Sequence, residues 1–198
     1  MSTVALFHSV LGVRPGVRDA ADRLRAAGHV VHVVDQYDGR VFDSYEEASA
    51  FAEGIGYPAL MASALAAVEG LPEDLVVMGF SNGGGMATYV AGNRPVARAV
   101  LCSGALPLDV IGQDHWPQGV PAQLHYALDD PFLQAGSVES VLRSVGEAGA
   151  IGEYLQYPGA GHLFTDPSLP AEFDGAATEA FWGAVLRFIG GGNSAVSH

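Results

Sequence analysis

Gly79-Phe80-Ser81-Asn82-Gly83 spells G-x-S-x-G, and two more glycines, Gly84 and Gly85, follow at once. Serine is a poor nucleophile at neutral pH, so this spacing matters only if a base lies within reach and a third group orients the base. The pattern is a weak signal alone, because a glycine-rich chain matches it by chance. Its setting strengthens it. An apolar run, residues 74–80, leads into the serine, and the small-residue stretch 83–93 leads out. A strand, a sharp turn and a helix are what the motif requires, with the serine strained at the tip and no bulky residue beside it. The glycines therefore read as steric necessities. Downstream, Asp129 and Asp130 end an apolar run, and His162 sits in the Gly-flanked loop "YPGAGHLF". The order Ser, Asp, His is the chain order of an α/β-hydrolase sheet.

The elements needed to hold these residues are legible. Candidate strands cover 3–8, 29–35, 74–80, 97–103, 121–128 and 152–158. Helical patterns cover 16–28, 44–70, 83–93, 137–149 and 176–190, several closed by a glycine such as Gly28, Gly70 or Gly149. Alternation of short β-branched runs with Ala-rich helices means βαβ units and a parallel sheet. Its central strands are apolar throughout because helices cover both faces. The expected fold is an α/β-hydrolase-like doubly wound sheet of about six mostly parallel strands. A single domain is expected over 1–190, with a loose tail at 191–198. In open sheets of this kind functional residues gather at the carboxyl ends of the strands, where the serine, the aspartates and the histidine all fall.

With these motifs in place, the chain resembles the dienelactone hydrolase family of α/β-hydrolases. The likeness runs from "HSVLGVRPGVRDAADRLRAAGHVVHVVDQYDGR" through "GFSNGGGMA" and "LDDPF" to "GAGHLF" and an aromatic-rich last helix. It implies Ser81 as nucleophile, Asp130 as the acid with Asp129 as fallback, and His162 as base. It also implies an oxyanion hole made by the backbone N–H groups of Asn82 and of Val10, with Leu11 as the neighbouring possibility. Three departures matter. The best-known members carry cysteine at the elbow and glutamate in the first loop, where this chain has Ser81 and Ser9. They hold a substrate carboxylate with arginines, one shortly after the histidine, where this chain has Asp166. Two antiparallel strands usual upstream of the first strand are not expected, which leaves an all-parallel sheet.

Composition narrows the classes. A net charge of −13 argues against nucleic-acid and anionic-membrane partners, and 49% apolar residues argue for a packed globule. Cys102 is the only cysteine and lies in an apolar run, so it reads as a core residue. No signal-peptide pattern and no long apolar run is visible, so a cytoplasmic location is expected. Scattered histidines without ligand spacing predict no metal, and no nucleotide-cradling glycine motif predicts no cofactor. His8, beside the first loop, Leu11 within it, Arg40, after the second strand, and Trp116 are candidates for the substrate pocket. His32 and His125, inside strand runs, read as structural. The long segment 104–119, with Trp116, is either a pocket wall or a surface loop. The expected activity is hydrolysis of a small carboxylic ester or lactone through an acyl-enzyme. The competing reading is a catalytically idle relative that binds a ligand or a protein partner. Oligomeric state is not readable from the sequence.

Overall fold

The six strands predicted from β-branched runs all form, each a residue or two shorter than its apolar run. In the computed structural model, which describes residues 1–191, they are β1 (Thr3–Phe7), β2 (Val30–Val34), β3 (Val76–Phe80), β4 (Arg98–Cys102), β5 (Ala122–Ala127) and β6 (Gly152–Tyr157). They make one sheet in the order β2-β1-β3-β4-β5-β6, every pair parallel. This is the α/β-hydrolase-like doubly wound sheet the alternation implied. An isolated antiparallel bridge, Gly12 to Val41, is the one exception to parallel pairing among the described residues.

The helices are α1 (Pro15–Ala26), α2 (Tyr45–Ile55), α3 (Tyr57–Ala67), α4 (Asn82–Asn93), α5 (Ser137–Glu147) and α6 (Gly175–Ile189). One prediction fails here: 44–70 is not one helix but two. Gly56 has φ 90°, outside the helical region, and Pro58 supplies no N–H to continue the ladder. Of the tail expected at 191–198, only Gly191 lies within the described residues.

Side chains alternate across a strand, so neighbours in β3 show what covers each face. Phe80 packs toward Phe181 of α6. Gly79 points the other way, toward the start of α4. α1 shares the α6 face, since Arg23 pairs with Glu179 at 2.9 Å and lies over Trp182. α3 lies against α4 on the other face. β3, β4 and β5 are almost wholly buried between these layers, whereas the edge strand β2 leaves Val30 and His32 exposed. The strand order reverses direction between β1 and β3. The loops leaving those two strands diverge there and open a crevice at the carboxyl edge of the sheet.

Candidate active site

Ser81 follows β3 and precedes α4 with φ 51° and ψ −119°, a conformation that costs about 1–3 kcal/mol for a residue with a side chain. Two backbone bonds hold it there. Its N–H donates to the Cys102 carbonyl at 2.8 Å, and its carbonyl accepts from Gly84 N–H at 2.8 Å. A side chain at Gly79 would overlap the Gly83 carbonyl, and one at Gly83 would overlap the Phe7 and His8 carbonyls. The glycines are there because α4 starts against the sheet with no space between.

His162 Nε2 lies 2.7 Å from Ser81 Oγ, and its Nδ1 lies 2.9 Å from both carboxylate oxygens of Asp130. An ionised carboxylate only accepts, so Nδ1 carries the proton and Nε2 is free to accept from the serine. The Asp130 side chain is fully buried. Burial alone would raise its pKa. The hydrogen bond and charge interaction with His162, and the Phe132 N–H on Oδ1 at 2.9 Å, hold it instead below the ordinary carboxylate value. Asp129 is exposed on the outside of the same turn. The Pro131-Phe132 pair thus has a geometric role: it folds the chain back so that an N–H caps the acid. The Phe132 ring lies 4.6 Å from the imidazole.

Val10, Ser81, Asn82 and His162 line a cavity of about 480 Å³. Asn82 N–H stands in the first turn of α4, where no intrahelical acceptor exists. Val10 N–H, in the loop after β1, has no acceptor among the described residues. Both residues that the resemblance names thus line the cavity with Ser81, each with an N–H that has no acceptor among the described residues. Leu11 does not join them: its N–H is taken by Ser9 Oγ at 3.2 Å, and its side chain is in the core.

The remaining pocket candidates lie elsewhere. His8 is fully buried; Gln36 N–H donates to its Nε2 at 3.1 Å, so Nδ1–H donates to the Ser9 carbonyl at 2.6 Å. Nε2 thereby ties the end of β1 to the loop after β2, while Nδ1–H is spent on the neighbouring carbonyl. Arg40 is exposed and lies over the Phe51 ring, outside the cavity. Trp116 turns inward and donates to the Val120 carbonyl at 2.7 Å. Segment 104–119 divides: Leu106, Val110 and Ile111 do form a cavity wall, while Trp116 anchors the rest of the segment. Asp166 does not face the cavity either. It is buried, 3.7 Å from Arg14 Nε, and accepts from the Ser168 N–H and hydroxyl. Arg14 also grips Asp43 and the Phe42 carbonyl, bracing the first loop against the histidine loop. His125, read as structural, is buried with its Nε2–H on Gln123 Oε1 and its Nδ1 accepting from the Tyr157 hydroxyl.

Sequence reasoning missed the roof. Tyr45 and Ser49 of α2 and Tyr57 and Met61 of α3 line the cavity. A signal was available: the apolar residues of 57–67 surround α3 instead of forming one stripe, so a second apolar face had to meet something. Ser103, at the end of β4, was also missed; it shares the left-handed conformation of Ser81 (φ 50°) and lines the cavity. No Asp, Glu, Lys or Arg is among the lining residues.

The model of the dienelactone hydrolase family matches residues 1–191. The chain belongs to the dienelactone hydrolase family. Among solved structures, a dienelactone hydrolase-like promiscuous phosphotriesterase from metagenomic libraries is 21% identical with a TM-score of 0.78, covering 96% of this chain and 86% of that one. A putative dienelactone hydrolase from Klebsiella pneumoniae is 19% identical with a TM-score of 0.77, covering 96% and 87%. An esterase of Thermogutta terrifontis with propionate bound is 16% identical with a TM-score of 0.69, covering 99% and 86%. At these identities the likeness speaks for a common fold. A search of curated proteins gives no match. This chain carries Ser81 at the turn between β3 and α4, and its Arg14 and Asp166 lie against each other outside the cavity lining. No described helix is long and apolar enough to cross a membrane.

Proposed function

We propose that the protein is a serine hydrolase that cleaves a small uncharged carboxylic ester or lactone through an acyl-enzyme on Ser81. The observation that carries this reading is the unbroken hydrogen-bond chain Ser81 Oγ to His162 to Asp130 at the mouth of a neutral cavity. In this reading His162 Nε2 takes the Ser81 proton as Oγ bonds to the substrate carbonyl carbon. Negative charge moves onto the carbonyl oxygen and meets the N–H groups of Asn82 and Val10, each donor being worth about 10²–10³ in rate. The tetrahedral species collapses, the bond to the leaving oxygen breaks, and His162 returns the proton to it. His162 next deprotonates water, which attacks the acyl carbon and frees the acid and Ser81. Asp130 holds the imidazole tautomer and stabilises its charged form throughout. The Thermogutta esterase, a relative in fold, is bound to propionate, and a short acyl group suits an apolar wall of Leu106, Val110 and Ile111.

A fluorophosphonate probe together with p-nitrophenyl acetate and butyrate tests the reading. Labelling mapped to Ser81, with turnover of both esters, is expected. Absence of both labelling and turnover in the folded protein would overturn it and leave the catalytically idle relative.

A further inference from the structure

We propose that Glu172 and Tyr45 form a latch that positions His162, making both positioning residues for the reaction; this rests on His162 being the base of the proposed function. His162 lies in the irregular stretch between β6 and α6, so no strand or helix holds it. Glu172 returns to that stretch, bonding to it just after the histidine and packing against it just before. Its Oε2 accepts the Leu163 N–H at 2.7 Å. Its backbone lies so close to Gly161 that any side chain there would overlap the Glu172 carbonyl. The same carboxylate receives the Tyr45 hydroxyl, at 2.9 Å on Oε1 and 3.1 Å on Oε2.

Tyr45 begins α2 and lines the cavity, so the carboxylate joins the histidine loop to the roof. The Tyr45 ring is 6.1 Å from the imidazole and 5.2 Å from Phe132, which is itself 4.6 Å from the imidazole. The imidazole thus has two aromatic neighbours with different anchors. Phe132 is fixed by the turn that carries the acid, and Tyr45 by Glu172. Burial, and then the Glu172 charge, raise the Tyr45 pKa well above its ordinary value, so the hydroxyl stays a donor at any working pH. Glu172 has no cation partner among the described residues. A half-buried carboxylate bound only to an O–H and an N–H makes charge-assisted bonds that are short and directional, as a positioning group requires. The 2.7 Å contact between Nε2 and Ser81 Oγ leaves little room for loop drift. A displacement of about 1 Å in such a pair lowers rate about 100-fold.

The expected result for Glu172→Ala is a fall in kcat of about 10- to 100-fold with KM within about threefold of wild type. Glu172→Gln keeps both contacts in changed form, its Oε1 on Leu163 N–H and its Nε2 donating to the Tyr45 oxygen, and should restore most of the loss. Tyr45→Phe should lower kcat less than Glu172→Ala, and the double variant should be no worse than Glu172→Ala, because the pair acts as a unit. The low-field proton NMR signal of the His162 Nδ1–H should broaden or move in Glu172→Ala while the protein stays folded. Wild-type kcat with an unmoved signal, or losses that simply multiply, would overturn the proposal. Should Glu172→Ala fail to fold, Tyr45→Phe and Glu172→Gln carry the same comparison. An inert wild-type enzyme would reject the functional reading alone, and the NMR signal would still decide the latch.

Discussion

At the scale of single residues, the proposed mechanism depends on three side chains whose chemistry is only useful in combination. Ser81→Ala keeps the backbone of the elbow, so the fold should persist while ester turnover falls by at least about 10³-fold. Turnover near that of wild type would remove Ser81 from the mechanism. The two adjacent aspartates make a sharper comparison, because one is buried on His162 Nδ1 and the other faces solvent. Asp130→Asn should cost at least about 10²-fold more in kcat than Asp129→Asn, as expected when the imidazole loses the partner that fixes its tautomer. Equal losses would mean that the imidazole takes its orientation from elsewhere.

At the scale of elements, the junction of β3 and α4 is where packing and chemistry coincide. Gly79→Ala would drive a methyl group into the Gly83 carbonyl, so α4 must shift or the elbow must open. We expect a loss of about 2 kcal/mol or more in unfolding free energy and disappearance of fluorophosphonate labelling. Retained labelling with unchanged stability would refute the steric reading of these glycines. This junction was legible in the sequence because its cause is local: G-x-S-x-G needs only its own neighbours to be understood. The same holds for the order of strands and helices, whereas the choice of Asp130 over Asp129 rests on the family's acid-Pro-Phe pattern. What escaped notice was long-range. Tyr45 meets Glu172 across 127 residues, and Arg14 reaches Ser168 across 154. Nothing in the composition of either segment names the other. Asp166 is a case in point, since an unpaired anion and one answered by a distant arginine look alike in sequence. His8 misled through proximity: adjacent to the Val10 loop in the chain, it turns its ring toward β2.

At the scale of the whole molecule, charge and buried imidazoles govern the response to solvent. The chain carries −13 while the cavity lining holds no Asp, Glu, Lys or Arg, so repulsion of an anionic substrate is long-range and not local. p-Nitrophenyl butyrate should exceed a carboxylate-bearing ester of the same length in kcat/KM by about tenfold at low salt, and the gap should narrow as salt rises. Preference for the carboxylate would demand a cation that the lining does not provide. Acid should destabilise the fold through His125, whose pKa burial pushes down to about 3 from 6.5, with buried His8 shifted in the same direction. Between those limits the unfolded chain binds the proton and the folded one does not. Stability is therefore full above about pH 6.5 and declines as pH falls toward 3. The slope of unfolding free energy against pH over that window should flatten in His125→Gln. An unchanged slope would assign acid sensitivity to other groups.

The bond from Ser81 N–H to the Cys102 carbonyl has a practical sequel. Cys102 is the sole thiol of the chain, fully buried at the end of β4 and in register with Phe80 of β3. A thiol reagent can reach it only when the structure packed around the end of β4, on which the serine leans, opens. One chemical event per chain would thus time the lifetime of the assembled elbow. In dilute denaturant the modification rate would separate brief breathing of the sheet from complete unfolding, with no engineered label.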